Sequence, residues 1–83
     1  MDQDKLKIRS FLSRFFRVEA ITDDDDFFAQ GFVNSLFAMQ LVMWVEKEFG
    51  VSIEDQDLDI QNFNTVNAVA GFVERKHLAM VAV

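Results

Sequence analysis

Eighty-three residues with a hydrophobic share of 51% make one domain with a single small core, because separate cores need more chain and no stretch reads as a linker. The absence of cysteine excludes disulfides and thiolate metal sites, and the formal charge of −6 disfavours nucleic acid and anionic membranes while favouring a basic partner surface. The opening Met1-Asp2-Gln3-Asp4-Lys5 has neither the basic start nor the apolar stretch of a secretory signal, and the run from Leu78 to Val83 is too short to span a bilayer, so a cytoplasmic location is expected.

With no proline, three glycines and apolar residues at helical spacing, the chain reads as all-α. Ile8, Phe11, Leu12 and Phe15 fall at i, i+3, i+4 and i+7 and predict a first helix over residues 4–17, with Phe16 alongside and Lys5, Arg9 and Ser13 facing away. A long loop over residues 18–33 follows. It carries four consecutive aspartates, Asp23 to Asp26, and then Phe27, Phe28 and Phe32, which are expected to pin it to the core. A second helix is predicted to open at Asn34-Ser35, where either residue can serve as N-cap, and to close at Gly50, which suits the left-handed C′ position. Residues 51–62 are polar and irregular, with Ile53, Leu58 and Ile60 spaced for one short helix near 57–61. Asn64 or Thr65 then caps a last helix to about residue 76, on the stripe Val66, Val69, Phe72 and Val73. The expected architecture is four helices, the third short.

Catalytic candidates are few. The single histidine, His77, has no cysteine or tyrosine to build a nucleophile pair around it and reads as a solvent-exposed or helix C-terminal residue favoured by the dipole. The aspartate run lacks the spaced oxygen ligands and turn glycine of a calcium loop, so a solvated charge run is the expectation. No phosphate-binding glycine pattern and no paired histidine spacing is present.

The second helix is more informative, because projecting it at about 100° per residue separates two apolar stripes. Ala38, Leu41, Val42, Val45 and Phe49 form the expected core face. Leu36, Met39 and Met43 form another stripe on roughly the opposite side, flanked by Phe37 and Trp44. Either this helix is central and buried nearly all round, or, since four short helices can hardly enclose both stripes, the second is an exposed methionine-rich strip for docking a partner, the favoured reading. Of the serines at 10, 13, 35 and 52, only Ser35 starts a helix directly after a glycine-containing loop. A phosphodiester on its hydroxyl would lie beside free backbone N–H groups and the positive end of the helix dipole.

The run Phe28-Ala29-Gln30-Gly31-Phe32-Val33-Asn34-Ser35-Leu36, followed by Leu41-Val42-Met43-Trp44-Val45-Glu46-Lys47-Glu48-Phe49-Gly50, resembles the centre of an acyl or peptidyl carrier protein. The likeness covers nearly the whole chain, including the later Phe63-Asn64-Thr65-Val66. In that family the serine of an Asp-Ser-Leu motif at the head of helix two carries 4′-phosphopantetheine, which implies Ser35 here. The resemblance implies an all-α, four-helix acyl-carrier-type bundle spanning 1–83, a monomer that does no chemistry of its own. Its acyl or aminoacyl group would ride as a thioester on the arm, which supplies the thiol this chain lacks.

Two departures bear on partner choice. Asn34 stands where the family usually has aspartate, which keeps the cap but loses a charge, and Phe37 and Gln40 thin the acidic strip typical of fatty-acid carriers. The stretch Val33 to Gln40 resembles free-standing carriers that assemble hydroxy-, methoxy- or aminomalonyl extender units for polyketide and hybrid assembly lines. The implied partners are a phosphopantetheinyl transferase, an acyl- or aminoacyl-loading enzyme, tailoring dehydrogenases and a polyketide synthase acyltransferase. They are expected to meet Asn34, Leu36, Phe37, Met39, Met43, Glu46 and Lys47. The rival readings are a helical interaction domain in which Ser35 is only a cap, and a small enzyme or metal-binding bundle.

Overall fold

The computed structural model describes residues 2–31 and 33–81, the side chains of 80 and 81 excepted. Three α-helices, α1 (Asp2–Leu12), α2 (Ser35–Phe49) and α3 (Val66–Val81), are joined by segments carrying short 3-10 turns at Val18–Ala20, Asp55–Asp57 and Ile60–Asn62. No strand occurs among the described residues. Ile8, Phe11 and Leu12 of α1, Phe37, Leu41 and Val45 of α2, and Val66, Val69, Ala70, Phe72 and Val73 of α3 are buried together. The α3 stripe expected from spacing is therefore the one that packs.

The expected short third α-helix is replaced by two 3-10 turns. Asp57 accepts the Glu54 N–H at 3.0 Å and Asp59 accepts the Gln61 N–H at 3.0 Å. Each aspartate thus offers the backbone a local alternative to helical bonding. Nor is there an apolar face to hold a helix, since neither turn contains a buried side chain.

The first helix stops at Leu12, short of residue 17. Beyond it the Phe15 N–H bonds the Leu12 carbonyl at 2.9 Å, a tighter turn, and Arg9 reaches forward to the carbonyls of Val18 and Ile21 at 3.2 and 2.8 Å. The last helix runs on to Val81. His77, read as solvent-exposed or helix C-terminal, lies toward the end of α3, where it is half-buried and donates from Nε2 to the Phe49 carbonyl at 2.8 Å, tying α3 to the end of α2.

The aspartate run is a clamp, whereas a solvated face was expected. Asp23 pairs with Arg9 at 3.1 Å and its carbonyl accepts the Asn67 N–H at 3.0 Å, while the Asp24 carboxylate accepts from the Asn67 side chain. Asp26 accepts the N–H groups of Phe28 and Ala29 with one oxygen and the Asn64 amide with the other. These bonds stitch the long loop to the start of α3, and Phe27, fully buried, anchors it. Phe28 is half-buried, and Phe32 lies outside the described residues. Among the described residues no group of three or more histidine or carboxylate side chains converges to hold a metal ion, and no helix is long and apolar enough to cross a membrane.

Candidate functional site

The head of α2 is built by Asn34. Its backbone is extended, its side-chain oxygen accepts the Phe37 N–H at 3.1 Å, and its carbonyl accepts the Ala38 N–H at 3.1 Å. That leaves the earlier N–H groups of Ser35 and Leu36 as donors with no intrahelical acceptor. Gly31, at φ 79, lets the loop turn just before the cap, and Gly50, at φ 65, closes the far end of the helix. Asn34→Ala should cost about 1 kcal/mol in a urea unfolding measurement, whereas Asn34→Asp, which also caps, should leave the midpoint nearly unchanged.

Ser35 is the first residue of α2 and is exposed, and no acidic residue occupies the first turn of the helix. An anion on its hydroxyl would meet the positive end of the dipole with no carboxylate in that turn to oppose it.

Ser35 also lines a groove of about 660 Å³ between α2 and the segment of the two 3-10 turns. Ala38, Met39, Val42 and Met43 form the α2 side; Leu58, Asp59 and Ile60 form the other; Phe28 and Phe63 also contribute to the lining. Leu36, Met39 and Met43 are 65%, 65% and 66% exposed, so the second stripe of α2 is free of the core.

The core face of α2 lies slightly around the helix from the expected one. Phe37, expected at the partner face, is only 5% exposed and sits among rings, with Phe15 at 4.9 Å, Phe28 at 6.1 Å, and Phe11 and Phe27 each at 6.2 Å between centroids. Trp44 stacks on Phe11 at 4.5 Å. The buried α2 residues thus run Phe37, Leu41, Val45 at i, i+4 and i+8. Ala38 and Val42, expected in the core, are half-buried and line the groove. Glu46, also expected at the partner face, is half-buried and accepts the Ile53 N–H at 2.9 Å, so its carboxylate fixes the following segment. Lys47 is exposed.

The opposite wall is held by polar ties. Lys76 pairs with Asp57, Arg75 donates to Asn62 at 3.2 Å, and Asn62 donates to the Asp57 carbonyl at 2.9 Å. The Lys76 ammonium, and then the Glu54 N–H, hold the Asp57 carboxyl below its usual 3.8. A carboxyl lowered on folding stabilises the fold above its unfolded value, and that contribution is lost as pH falls through the folded value. The difference in urea midpoint between the parent and Asp57→Asn should therefore be larger at neutral pH than at pH well below 3.8. Leu58, Asp59 and Ile60 were not foreseen as site residues, because Leu58 and Ile60 were assigned to a short helix near 57–61.

A chain of this kind fits a phosphopantetheine arm: an exposed serine hydroxyl, a helix start suited to a phosphodiester, and an apolar groove beginning at that serine. Residues 7–73 match the family model for a phosphopantetheine attachment site. The chain is 32% identical over 53 residues to the D-alanyl carrier protein of Lactococcus lactis subsp. cremoris, strain MG1363, an alignment covering 64% of this chain and 67% of that protein. The D-alanyl carrier protein of Lactococcus lactis subsp. lactis, strain IL1403, matches to the same extent. None of the solved structures compared with it gives a significant match. The head of α2, the groove beside it and the match across most of its length together make this chain a member of the acyl carrier protein family, a carrier of covalent 4′-phosphopantetheine and not an enzyme.

Proposed function

We propose that Ser35 is the attachment residue and that the carrier presents an acyl or aminoacyl group to successive biosynthetic enzymes. The observation that carries this reading is the exposed Ser35 at the start of α2, on the lip of the apolar groove. The arm supplies the thiol for a thioester. The protein's own part is to hold the phosphodiester at the helix N-terminus and offer Leu36, Met39 and Met43 to partners. The net charge of −6 steers basic enzymes to it, and modest contact keeps the encounters short, as a shuttle needs.

The whole chain acts as one domain and works as a monomer in the cytoplasm. Its partners are a phosphopantetheinyl transferase and a loading enzyme, with tailoring dehydrogenases and a polyketide synthase acyltransferase following in extender-unit synthesis. The motif from Val33 to Gln40 supports the extender-unit reading. The likeness to D-alanyl carrier proteins supports an aminoacyl cargo.

Because the chain has no cysteine, thiol titration tests the proposal against a blank background. After incubation with coenzyme A and a broad-specificity transferase, and removal of the free cofactor, the protein should titrate one equivalent of thiol where the untreated protein titrates none. A treated protein that still titrates none would contradict the carrier reading.

A further inference from the structure

The groove beside Ser35 has an electrostatic asymmetry. Its walls are Phe28, Ala38, Met39, Val42, Met43, Leu58, Ile60 and Phe63, and the single charged side chain among its described lining residues is Asp59. One Asp59 oxygen accepts the Gln61 N–H at 3.0 Å. The other has no hydrogen-bond partner among the described residues, and Asp59 is exposed. No cationic side chain lines the groove among the described residues. Asp57 pairs with Lys76, and the Glu46 carboxylate accepts the Ile53 N–H.

Leu58 and Ile60 are each 57% exposed although they face a shared apolar groove, so an occupant would cover apolar surface now left to water. The occupant to consider is the acyl group tethered at the groove's lip.

We propose that Asp59 makes this groove select its cargo by charge, holding neutral acyl and α-ammonium aminoacyl groups and excluding acyl groups that carry a free carboxylate. The inference rests on Ser35 being the attachment residue. A carboxylate entering the groove would lose hydration without gaining a cation and would face Asp59. An α-ammonium would lose hydration too, but would gain Asp59 as partner, and a neutral methyl would gain only apolar contact. A cargo bearing a free carboxylate would therefore stay outside the groove, within reach of a partner enzyme.

Three cargoes that differ by one group test this: propionyl, alanyl and malonyl, each transferred to the protein from a coenzyme A analogue with an amide in place of the thioester, so that hydrolysis does not interfere. Intact mass records loading, and the methyl chemical shifts of Met39, Met43, Leu58 and Ile60 record groove occupancy. Propionyl and alanyl should move these shifts relative to the unacylated holo protein, alanyl the more, and malonyl should leave them near the unacylated values. Asp59→Asn keeps the capping oxygen and removes the charge. In that variant the alanyl advantage over propionyl should disappear, and malonyl occupancy should rise about two- to five-fold, the range expected for one partly exposed charge pair. Malonyl shifts equal to those of propionyl in the parent protein would overturn the inference, as would an unchanged order in Asp59→Asn. Failure of all three cargoes to load would instead overturn the Ser35 reading beneath it.

Discussion

Leu41→Ala should remove about 2 to 5 kcal/mol of stability, while Met43→Ala, two residues further along the same helix, should change it by less than about 0.5 kcal/mol. Leu41 is fully buried in the core that α1, α2 and α3 share, so truncation loses the transfer energy of the removed groups and leaves a cavity in a core rich in phenylalanine and valine. A domain of this length is expected to have about 4 to 12 kcal/mol in total, so the Leu41 variant should be visibly marginal. Met43 has two thirds of its surface in water and touches the groove, not the core. Its loss should appear in function, as slower acyl loading or transfer by a partner enzyme that uses it as an apolar anchor. Urea unfolding of both variants, paired with transfer kinetics, separates the two roles. Equal destabilisation by both would mean that the exposed stripe of α2 is structural and would remove the basis for a docking surface there.

Much of this division was legible in the sequence, because the two stripes of α2 follow from spacing alone. What spacing missed was the angle. Phe37 reads as a flank residue on a helical projection, yet it is buried because the loop before α2 returns Phe27 and Phe28 against it, a long-range contact that no local pattern encodes. Ala38 and Val42 were displaced toward the groove by the same shift. Both ends of α2 were readable, since an Asn cap and a C′ glycine are local signals, and Asn34 and Gly50 have the predicted conformations.

The aspartate run was misread for a related reason. Four adjacent carboxylates look solvated until their partners are known, and those partners, Arg9 of α1, Asn64 just before α3 and Asn67 within it, lie outside the local pattern. The third helix failed at the level of competition between bonds, where Asp57 and Asp59 capped 3-10 turns that propensity alone cannot distinguish from one short α-helix. The consequence for the site is direct. A compact helix at 57–61 would have presented one stripe, whereas the two turns leave Leu58, Asp59 and Ile60 together on the groove.

The largest functional effect is expected from Ser35→Ala. The substitution removes the hydroxyl at an exposed first-turn position while the cap at Asn34 stays in place, so the variant should unfold at nearly the parent urea concentration. Without the hydroxyl no phosphodiester can form there, and the remaining serines lack that setting: Ser10 lies within α1, Ser13 donates to the Ser10 carbonyl, and Ser52 follows the end of α2. The decisive measurement is the intact mass of parent and Ser35→Ala proteins after identical treatment with coenzyme A and a phosphopantetheinyl transferase, with the modified peptide of the parent sequenced by fragmentation. The account predicts one added phosphopantetheine on the parent, located at Ser35, and none on the folded variant. The same mass gain on Ser35→Ala, or a fragment series placing the group on another residue, would contradict it.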